Sequence, residues 1–312
     1  MADTTQKAGV LAWNQYVTWA EMRQAGIDAD RLGYHSLWTW DHLYPIIGDP
    51  MGPFLEGYSV LAAWSQLTTR TRIGLLVGAN TFRNPALVAK VVTTLDHLSD
   101  GRANLGLGAA WFETEHTAFG IDFGTSVGDR IDRLDEAVAL IRAMLPGGPA
   151  TARGRFYHAQ DVRNDPPPVQ PRLPILIGGG GERKTLRTVA MHADSWNVSM
   201  VTPDEAAAKA AILDRWCEEV GRDPSEIERT ISLGPVAIRE KPEDAKALVA
   251  RYHERNPGMQ RAVFTGSGQQ VTDHVAAFRR AGFPHAIFHL VPPYDAETLE
   301  RFALEVTPAA GR

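Results

Sequence analysis

The sequence has few of the features that mark secreted, membrane-spanning or disulfide-stabilised proteins. Among its 312 residues there is one cysteine, Cys217, so no disulfide can form within the chain. No apolar run approaches the ~20 residues that span a bilayer, and the N-terminal stretch MADTTQKAGV has no apolar signal-peptide core. We therefore expect a cytoplasmic protein that does not bind membranes.

A strong excess of charge of one sign is also missing. The formal net charge is -5 and the isoelectric point is near 6.1, which argues against nucleic acid or an anionic membrane surface as a partner. Hydrophobic residues make up 44% of the chain, which is enough for a large core. These values predict a globular protein.

Known metal and nucleotide motifs are missing too. Glu113, Glu115 and His116 occur close together, but no second His or Cys lies nearby at ligand spacing, so we predict no metal ligands. The glycine run from Gly178 to Gly181 matches neither a dinucleotide-binding fingerprint nor a P-loop. Between a strand and a helix, it is either a tight turn or a site whose free N–H groups hold a phosphate.

The stretch from Ile73 to Ile121 contains a complete strand, helix and strand. Ile73–Val77 is an apolar run typical of a strand buried on both faces, and Asn84-Pro85 supplies a helix N-cap and first residue. Apolar residues then recur every three or four positions until Asp100-Gly101 ends the helix, and Ala103–Gly108 is a second apolar run. A helix connecting two such strands predicts that the strands are parallel.

The same alternation extends through the whole chain. Eight apolar runs are predicted as strands: Gly9–Trp13, Ser36–Trp40, Ile73–Val77, Ala103–Gly108, Ile175–Ile177, Ser195–Val198, Ile231–Ile238 and Ala286–Val291. Eight strands alternating with helices predict an α/β fold, a (β/α)8 TIM barrel, as a single domain over residues 1–312. The Pro-rich segment 146–174 is too short for another unit, and we interpret it as an insertion at the C-terminal mouth of the barrel, of a length that suits a hairpin.

Titratable residues follow two of these strands at the end where such barrels bind ligands. Asp41 and His42 follow the second strand, and Glu113 lies shortly after the fourth. An imidazole at this position either transfers protons or caps a loop. Asp41 or Glu113 is expected to hold the ring of His42. Because neighbours on a strand point to opposite faces, Asp41 can instead bond the backbone or a cofactor, which leaves Glu113 as the partner.

Three blocks of sequence resemble the bacterial luciferase-like monooxygenase superfamily, and within it the branch that uses the deazaflavin coenzyme F420. They are LGYHSLWTWDHL, TRIGLLVGANTFRNPALVAKVVTTLDHLSDGRANLGLGAAWFETEHTAFGI and PILIGGGGERKTLRTVAMHADSWN, in the family's order and spacing. The resemblance implies a cofactor across the barrel mouth, with its ring over the ends of strands two to four and its phosphate on the glycine run. The implied cofactor-binding residues are Asp41, Leu76, Val77, Gly78, Gly108, Ala109, Ala110, Gly178, Gly179, Gly180 and Gly181.

Two details of the cofactor site follow from the resemblance. Members of the superfamily hold a non-prolyl cis peptide behind the ring, which we expect at Leu76-Val77. They commonly have Gly-Ala-Gly-Trp where this chain has Gly108-Ala109-Ala110-Trp111. The methyl group of Ala110 therefore leaves less room for the cofactor.

The implied reaction is hydride transfer between F420 and a small organic substrate, with His42 and Glu113 as the expected catalytic residues. Two alternatives stay open: a monooxygenase that uses reduced FMN supplied by a separate reductase, and a barrel that binds a phosphorylated ligand without catalysis. His42 itself either handles a proton or packs against the cofactor. The resemblance also implies a homodimer.

Overall fold

The computed structural model of the chain describes residues 6–310 and contains a closed barrel of eight parallel strands. The strands are β1 (Lys7–Ala12), β2 (Ser36–Thr39), β3 (Arg72–Leu75), β4 (Gly78–Ala79), β5 (Ala103–Gly108), β6 (Pro149–Arg153), β7 (His158–Arg163), β8 (Ile175–Gly178), β9 (Ser195–Ser199), β10 (Glu228–Ile238), β11 (Phe264–Gly266) and β12 (His285–Leu290). The barrel order is β10-β12-β1-β2-β3-β5-β8-β9, and β9 pairs with β10 to close it. The predicted (β/α)8 barrel is confirmed. Residues 1–5 of the N-terminal stretch considered above lie outside the described part.

Helices connect successive barrel strands and cover the outside of the barrel. They are α1 (Trp19–Arg31), α2 (Gly57–Leu67), α3 (Pro85–Leu98), α4 (Glu113–Phe119), α5 (Val127–Met144), α6 (Thr185–His192), α7 (Pro203–Val220), α8 (Pro242–Arg255), α9 (Gly268–Arg280), α10 (Ala296–Arg301) and α11 (Thr307–Ala310). A 3-10 turn at Pro224–Glu226 precedes β10, and a π-helical turn at Phe302–Val306 joins α10 to α11. Within residues 6–310, none of the helices has both the length and the apolarity needed to cross a membrane.

The insertion and several short elements show where the sequence patterns were less informative. Segment 146–174 contains an antiparallel hairpin of β6 and β7, as its length suggested. The short strand β4, which pairs with β5, and β11, which pairs with β10, were not predicted. Helix α4 was also missed, because its seven residues carry too few apolar positions to show a helical period.

Three helix starts coincide with capping interactions, and one of them, at Asn84-Pro85, was predicted above. Thr18 accepts a hydrogen bond from the backbone N–H of Glu21, whose side chain in turn accepts from the N–H of Thr18. The same reciprocal pair joins Thr202 and Glu205 at the start of α7. Asn84 caps α3, with Pro85 as the first helical residue. These contacts satisfy N–H groups that a helix cannot pair internally, which is why the sequence pattern located the starts well.

The hydrophobic core has two layers. One lies between the strands and the surrounding helices and includes Trp64, Phe288 and Phe302, each at most 1% exposed. The other fills the inside of the barrel and includes Leu11, Trp13 and Trp38. Cys217 belongs to the outer layer, and burial raises the pKa of its thiol, as expected for an unreactive cysteine.

Asp30, near the end of α1, ties that helix to the loop before β3. Its side chain is 8% exposed and accepts hydrogen bonds from the backbone N–H groups of Thr69, Arg70 and Thr71. Burial alone would raise the pKa of Asp30, but these donors lower it from 3.8 to about 2. We expect Asp30→Asn to lower the free energy of unfolding at pH 7 by about 2 kcal/mol.

The pH dependence of this loss of unfolding free energy shows whether the charge of Asp30 or only the shape of its side chain stabilises the protein. Because the folded pKa lies below the unfolded value, the contribution of Asp30 is present above about pH 4 and disappears as the pH falls towards 2. Denaturant unfolding between pH 7 and pH 2.5 should therefore show wild type and Asp30→Asn converging. Asp28→Asn, which breaks a surface pair with Arg31, serves as the control and should cost less than about 1 kcal/mol. Parallel pH curves for Asp30→Asn and wild type would contradict this account.

Candidate active site

A cavity of about 570 Å³ lies at the C-terminal mouth of the barrel. Most of the residues expected to bind a cofactor line it: Asp41, Leu76, Val77, Gly78, Gly108, Ala109, Ala110, Gly178, Gly179 and Gly181. His42 lines it as well. Gly180 and Glu113 are not part of the lining. The cavity therefore lies where the C-terminal ends of several strands meet, which is the usual place of the ligand site in such barrels.

One wall of the cleft is formed where β3 passes into β4. The peptide bond between Leu76 and Val77 is cis, as the resemblance implied. The side chain of Val77 lies close to Gly108 and Gly178, where a Cβ atom would come within 2.7 and 2.8 Å of its methyl groups. Glycine is thus required at both positions by the packing of Val77, which leaves a smooth wall over β3, β5 and β8.

Ala110, directly after the end of β5, has a left-handed backbone conformation with a φ of 64°. An alanine in this region is disfavoured by about 1 to 2 kcal/mol, whereas glycine adopts it freely. In Ala110→Gly this strain is relieved, but the unfolded chain gains conformational entropy, which offsets part of the gain. We therefore expect the free energy of unfolding to rise by up to about 1 kcal/mol. Ala109→Gly is the matched control and should lower stability. Chemical denaturation of both variants checks the prediction, and a loss of stability in Ala110→Gly would refute it.

The glycine run forms the turn between β8 and α6. Gly179 has a φ of +128°, its N–H donates to the carbonyl of Asn197, and its own carbonyl accepts from the indole of Trp196. Helix α6 then begins without a side-chain cap at Lys184, and Thr185 in its first turn lines the cleft. These uncapped N–H groups suit an anion. Gly180 departs from expectation, because it faces Lys209 and Val198 rather than the cleft.

His42 is held by a buried carboxylate, but this carboxylate is Glu115 and not Glu113. Nδ1 of His42 lies 2.8 Å from Oε1 of Glu115, which is 1% exposed. The other carboxylate oxygen, Oε2, accepts from the backbone N–H of Leu43 at 2.8 Å. Glu113 is exposed at the start of α4. The expected pairing of His42 with Glu113 is therefore wrong, because the helical turn directs Glu115 inward and Glu113 to solvent.

The neighbouring His116 is buried, and both of its ring nitrogens have hydrogen-bond partners. Its Nδ1 lies 2.8 Å from the carbonyl of Phe112, and its Nε2 lies 2.7 Å from the hydroxyl of Thr81. In contrast, the Nε2 of His42 has no hydrogen-bond partner within residues 6–310. Because a carboxylate can only accept, Nδ1 of His42 carries the hydrogen, and in the neutral form of the ring Nε2 keeps a lone pair. His42 thus presents a basic nitrogen at the cleft.

Asp41 is engaged by the protein itself. It is buried, and its carboxylate accepts from the N–H of Ala79 at 2.9 Å and from two nitrogens of Arg83 at 2.7 and 3.0 Å. Arg83 also contacts Glu56 at 2.9 Å. Burial raises the pKa of Asp41, and Arg83 offsets part of that rise. Asp41 therefore holds β4 in place through a backbone N–H, which agrees with the expectation that it bonds the backbone and not His42. It also lines the cleft.

The sequence patterns missed a second sector of the cleft, formed by the ends of β10, β12, β1 and β2. Trp13 and Trp40 lie there with ring centroids 4.9 Å apart, and both line the cleft with His289 and Arg261. The indole N–H of Trp13 donates to Nδ1 of His289 at 3.2 Å. From the sequence, His289 is only a weak site candidate, based on its place near the end of its strand. Arg261 lies in a loop without periodicity, so no pattern indicated it.

One group of potential metal ligands occurs within residues 6–310, at the opposite end of the barrel. His35, Glu228 and His285 place donor atoms within 4.8 Å of one another. Lys7 contacts Glu228 at 2.8 Å, and Ser36 contacts Nε2 of His285 at 2.8 Å. A lysine on the carboxylate already supplies a positive charge there, so the group is explained as a hydrogen-bonded cluster.

Comparison with known proteins finds relatives that match most of the chain. An uncharacterized protein of Mycobacterium bovis is 33% identical over 221 residues, covering 66% of this chain and 74% of that protein. An F420-dependent glucose-6-phosphate dehydrogenase of Kineococcus radiotolerans is 26% identical, covering 97% of this chain and 96% of its own.

Solved structures show the same fold. An F420-dependent secondary alcohol dehydrogenase, in complex with an F420-acetone adduct, superposes with a TM-score of 0.84 at 21% identity, covering 98% of this chain and 99% of that one. A monooxygenase of Streptomyces bottropensis superposes with a TM-score of 0.79 at 21% identity, covering 97% and 99%. The family described as luciferase-like monooxygenase matches residues 2–282. With this match over most of the barrel, the chain belongs to the luciferase-like monooxygenase family.

Proposed function

We propose that the protein is an F420-dependent oxidoreductase that transfers a hydride between F420 and a small organic substrate. The observation that carries this proposal is the presence, in one cleft, of a smooth wall, a glycine turn before a helix start without a side-chain cap, and the imidazole of His42. Similarity to the Kineococcus F420-dependent dehydrogenase over 97% of the chain supports the choice of F420.

The residues of the cleft suit a flat cofactor with a phosphate. Val77, packed against Gly108 and Gly178, provides a surface without projecting side chains on which a ring can lie. Gly179, Gly181 and Thr185 line the cleft at the uncapped start of α6, where the phosphate would bind. When bound, F420 supplies a two-electron acceptor or donor of hydride.

His42 supplies the proton chemistry that accompanies hydride transfer. When an alcohol is oxidised, its carbon loses a hydride with both electrons, and its hydroxyl proton passes to Nε2 of His42. The alcohol becomes a carbonyl compound, its hydride would go to the bound cofactor, and His42 becomes an imidazolium. Glu115 on Nδ1 stabilises this positive charge and fixes the orientation of the ring. Reduction of a carbonyl or an activated double bond uses the same groups in reverse.

Titration of the purified protein with F420, FMN and FAD, followed by ring absorbance or fluorescence, tests the proposal. We expect F420 to bind at least about tenfold more tightly than either flavin, a difference of about 1.4 kcal/mol. Preferential binding of FMN, with consumption of dioxygen when the reduced flavin is supplied, would instead establish a monooxygenase. Binding of phosphorylated ligands without turnover of any cofactor would instead indicate that the barrel binds a ligand without catalysing a reaction.

A further inference from the structure

The second sector of the cleft, formed by Trp13, Trp40, Arg261 and His289, contains the positive charge of Arg261, which has no carboxylate partner among the described residues. Arg261 is half-buried, and its contact within residues 6–310 is a hydrogen bond from Nη1 to the sulfur of Met200 at 2.9 Å. Two carboxylates line the same cleft, and both are engaged elsewhere. Asp41 pairs with Arg83, and Glu115 pairs with His42.

His289 adds a neutral hydrogen-bond donor beside this charge. Because the indole N–H of Trp13 can only donate, Nδ1 of His289 must accept, and the neutral ring carries its hydrogen on Nε2. His289 is 5% exposed, and its Nε2 has no acceptor within residues 6–310. Burial, together with the nearby Arg261, lowers the pKa of His289 to about 3, so the ring stays neutral at physiological pH. A buried N–H without an acceptor is costly unless a ligand supplies one.

Resting on the proposed function, we propose that this sector binds the carboxylate of the substrate, with Arg261 as counter-ion and His289 Nε2–H as donor to one carboxylate oxygen. The positive charge of Arg261 balances the single negative charge of a carboxylate, and the neutral His289 adds a hydrogen bond. A phosphate monoester dianion would keep an uncompensated charge against the apolar walls, which is strongly unfavourable.

The walls of this sector also define the rest of the substrate. Trp13 and Trp40 present indole rings, and Ile46 and Ile47 complete the apolar lining. Such a surface favours a flat or aliphatic body over a sugar. The substrate class is therefore an organic monocarboxylate with an apolar body, oriented with its reacting carbon towards His42.

Matched pairs of carboxylates and primary amides test this assignment. The probes are benzoate and benzamide, trans-cinnamate and trans-cinnamamide, and octanoate and octanamide, measured by ligand-observed NMR and calorimetry with and without F420. In at least one pair we expect the carboxylate to bind about tenfold or more tightly than the amide, because hydrogen bonds to a charged group are stronger than those to a neutral one. Arg261→Met should abolish the preference by weakening the carboxylate, and Arg261→Lys should keep most of it. Arg23→Met, on an exposed face of α1, removes the same charge outside the cleft and should change neither.

His289 is tested through its donor. His289→Leu should weaken carboxylate and amide alike, because both present an acceptor oxygen, and His289→Gln should restore part of the binding. In the wild type, long-range ¹H–¹⁵N spectra should show one neutral imidazole with its hydrogen on Nε2 that does not titrate between pH 8 and 5. Its signal should be missing from His289→Gln.

Three results would overturn the proposal: no preference for a carboxylate in any pair, a preference that survives Arg261→Met, or a hydrogen on Nδ1 of His289. A further arm measures the Kd of F420 in each variant. If Arg261→Met weakens F420 and leaves the carboxylate preference intact, Arg261 serves the cofactor phosphate and the proposal is wrong. If the wild type fails to bind F420 but prefers carboxylates, the proposed function fails while this site stands.

Discussion

Replacing His42 by Ala should lower kcat by about 10²- to 10⁴-fold, the usual contribution of a positioned acid-base group, while the Kd of F420 stays unchanged. The expectation follows from the geometry of the ring. Glu115 holds Nδ1 at 2.8 Å, so under the proposed function Nε2 is the nitrogen that accepts the proton of the reacting hydroxyl. Without it, the proton must leave to water in a cleft walled by tryptophans.

Glu115→Gln tests how much of this effect depends on the carboxylate. The amide oxygen can still accept from Leu43 or from His42 Nδ1, but it carries no charge to stabilise the imidazolium. We therefore expect a loss of kcat smaller than that of His42→Ala, and Glu113→Gln, at the exposed position two residues earlier, should leave kcat unchanged. Stopped-flow measurement of F420 absorbance with any substrate that the wild type oxidises provides the rates.

The opposite pattern would show that His42 packs against the cofactor. In that case His42→Ala would weaken the binding of F420, and single-turnover hydride transfer would stay near the wild-type rate once the cofactor is saturating. The proton would then have to pass to another group at the mouth.

The barrel could be predicted from sequence because its signals are local. Buried strands such as Ala103–Gly108 and Ile175–Gly178 appear as apolar runs, and helix starts such as Thr18 and Thr202 carry their caps within three residues. Each signal depends on neighbours in the chain, so a single sequence contains it. Parallel pairing then follows from the connections between strands.

The error at Glu113 shows the limit of such local reasoning. Both glutamates follow the same strand, and only the one-turn geometry of α4 decides that Glu115 faces His42 while Glu113 faces solvent. The structure buries both Glu115 and His116, and the sequence signal for this inward face was limited to His116 and the aromatic Phe112 before the helix. Seven residues are too few for that signal to stand out as a period.

Arg261 and Gly180 illustrate a different limit. Arg261 reaches the cleft from the loop between α8 and β11, and its position depends on contacts far away in the chain, such as Met200. Gly180 belongs to a run of glycines whose members are identical in sequence and differ only in where the turn directs them. Neither placement is encoded in local spacing.

Asp41→Ala should lower the free energy of unfolding by about 3 kcal/mol, the lower range for removing one partner of a buried ion pair. The Asp41 carboxylate is 1% exposed and holds both Arg83 and the N–H of Ala79. Its loss leaves the guanidinium with Glu56, which is 39% exposed, and with the face of the Tyr58 ring at 4.8 Å. The backbone of β4, which forms part of the cleft wall, loses its anchor at the same time.

A double-mutant cycle separates the cost of an unpaired charge from the cost of lost packing. Arg83→Met in the Asp41→Ala background removes the orphaned cation, so the double variant should be less destabilised than the sum of the two single variants by about 1 kcal/mol or more. Glu56→Gln keeps an oxygen that caps α2 and should cost less than about 1 kcal/mol, because Glu56 is 39% exposed and Arg83 keeps its buried partner Asp41. Urea unfolding followed by far-UV circular dichroism measures all four. Two results would contradict this account: additive losses of unfolding free energy in the Asp41→Ala and Arg83→Met variants, or a loss below about 1 kcal/mol in Asp41→Ala. Either would mean that Asp41 does not anchor β4 through Arg83 and that it serves a ligand in the cleft instead.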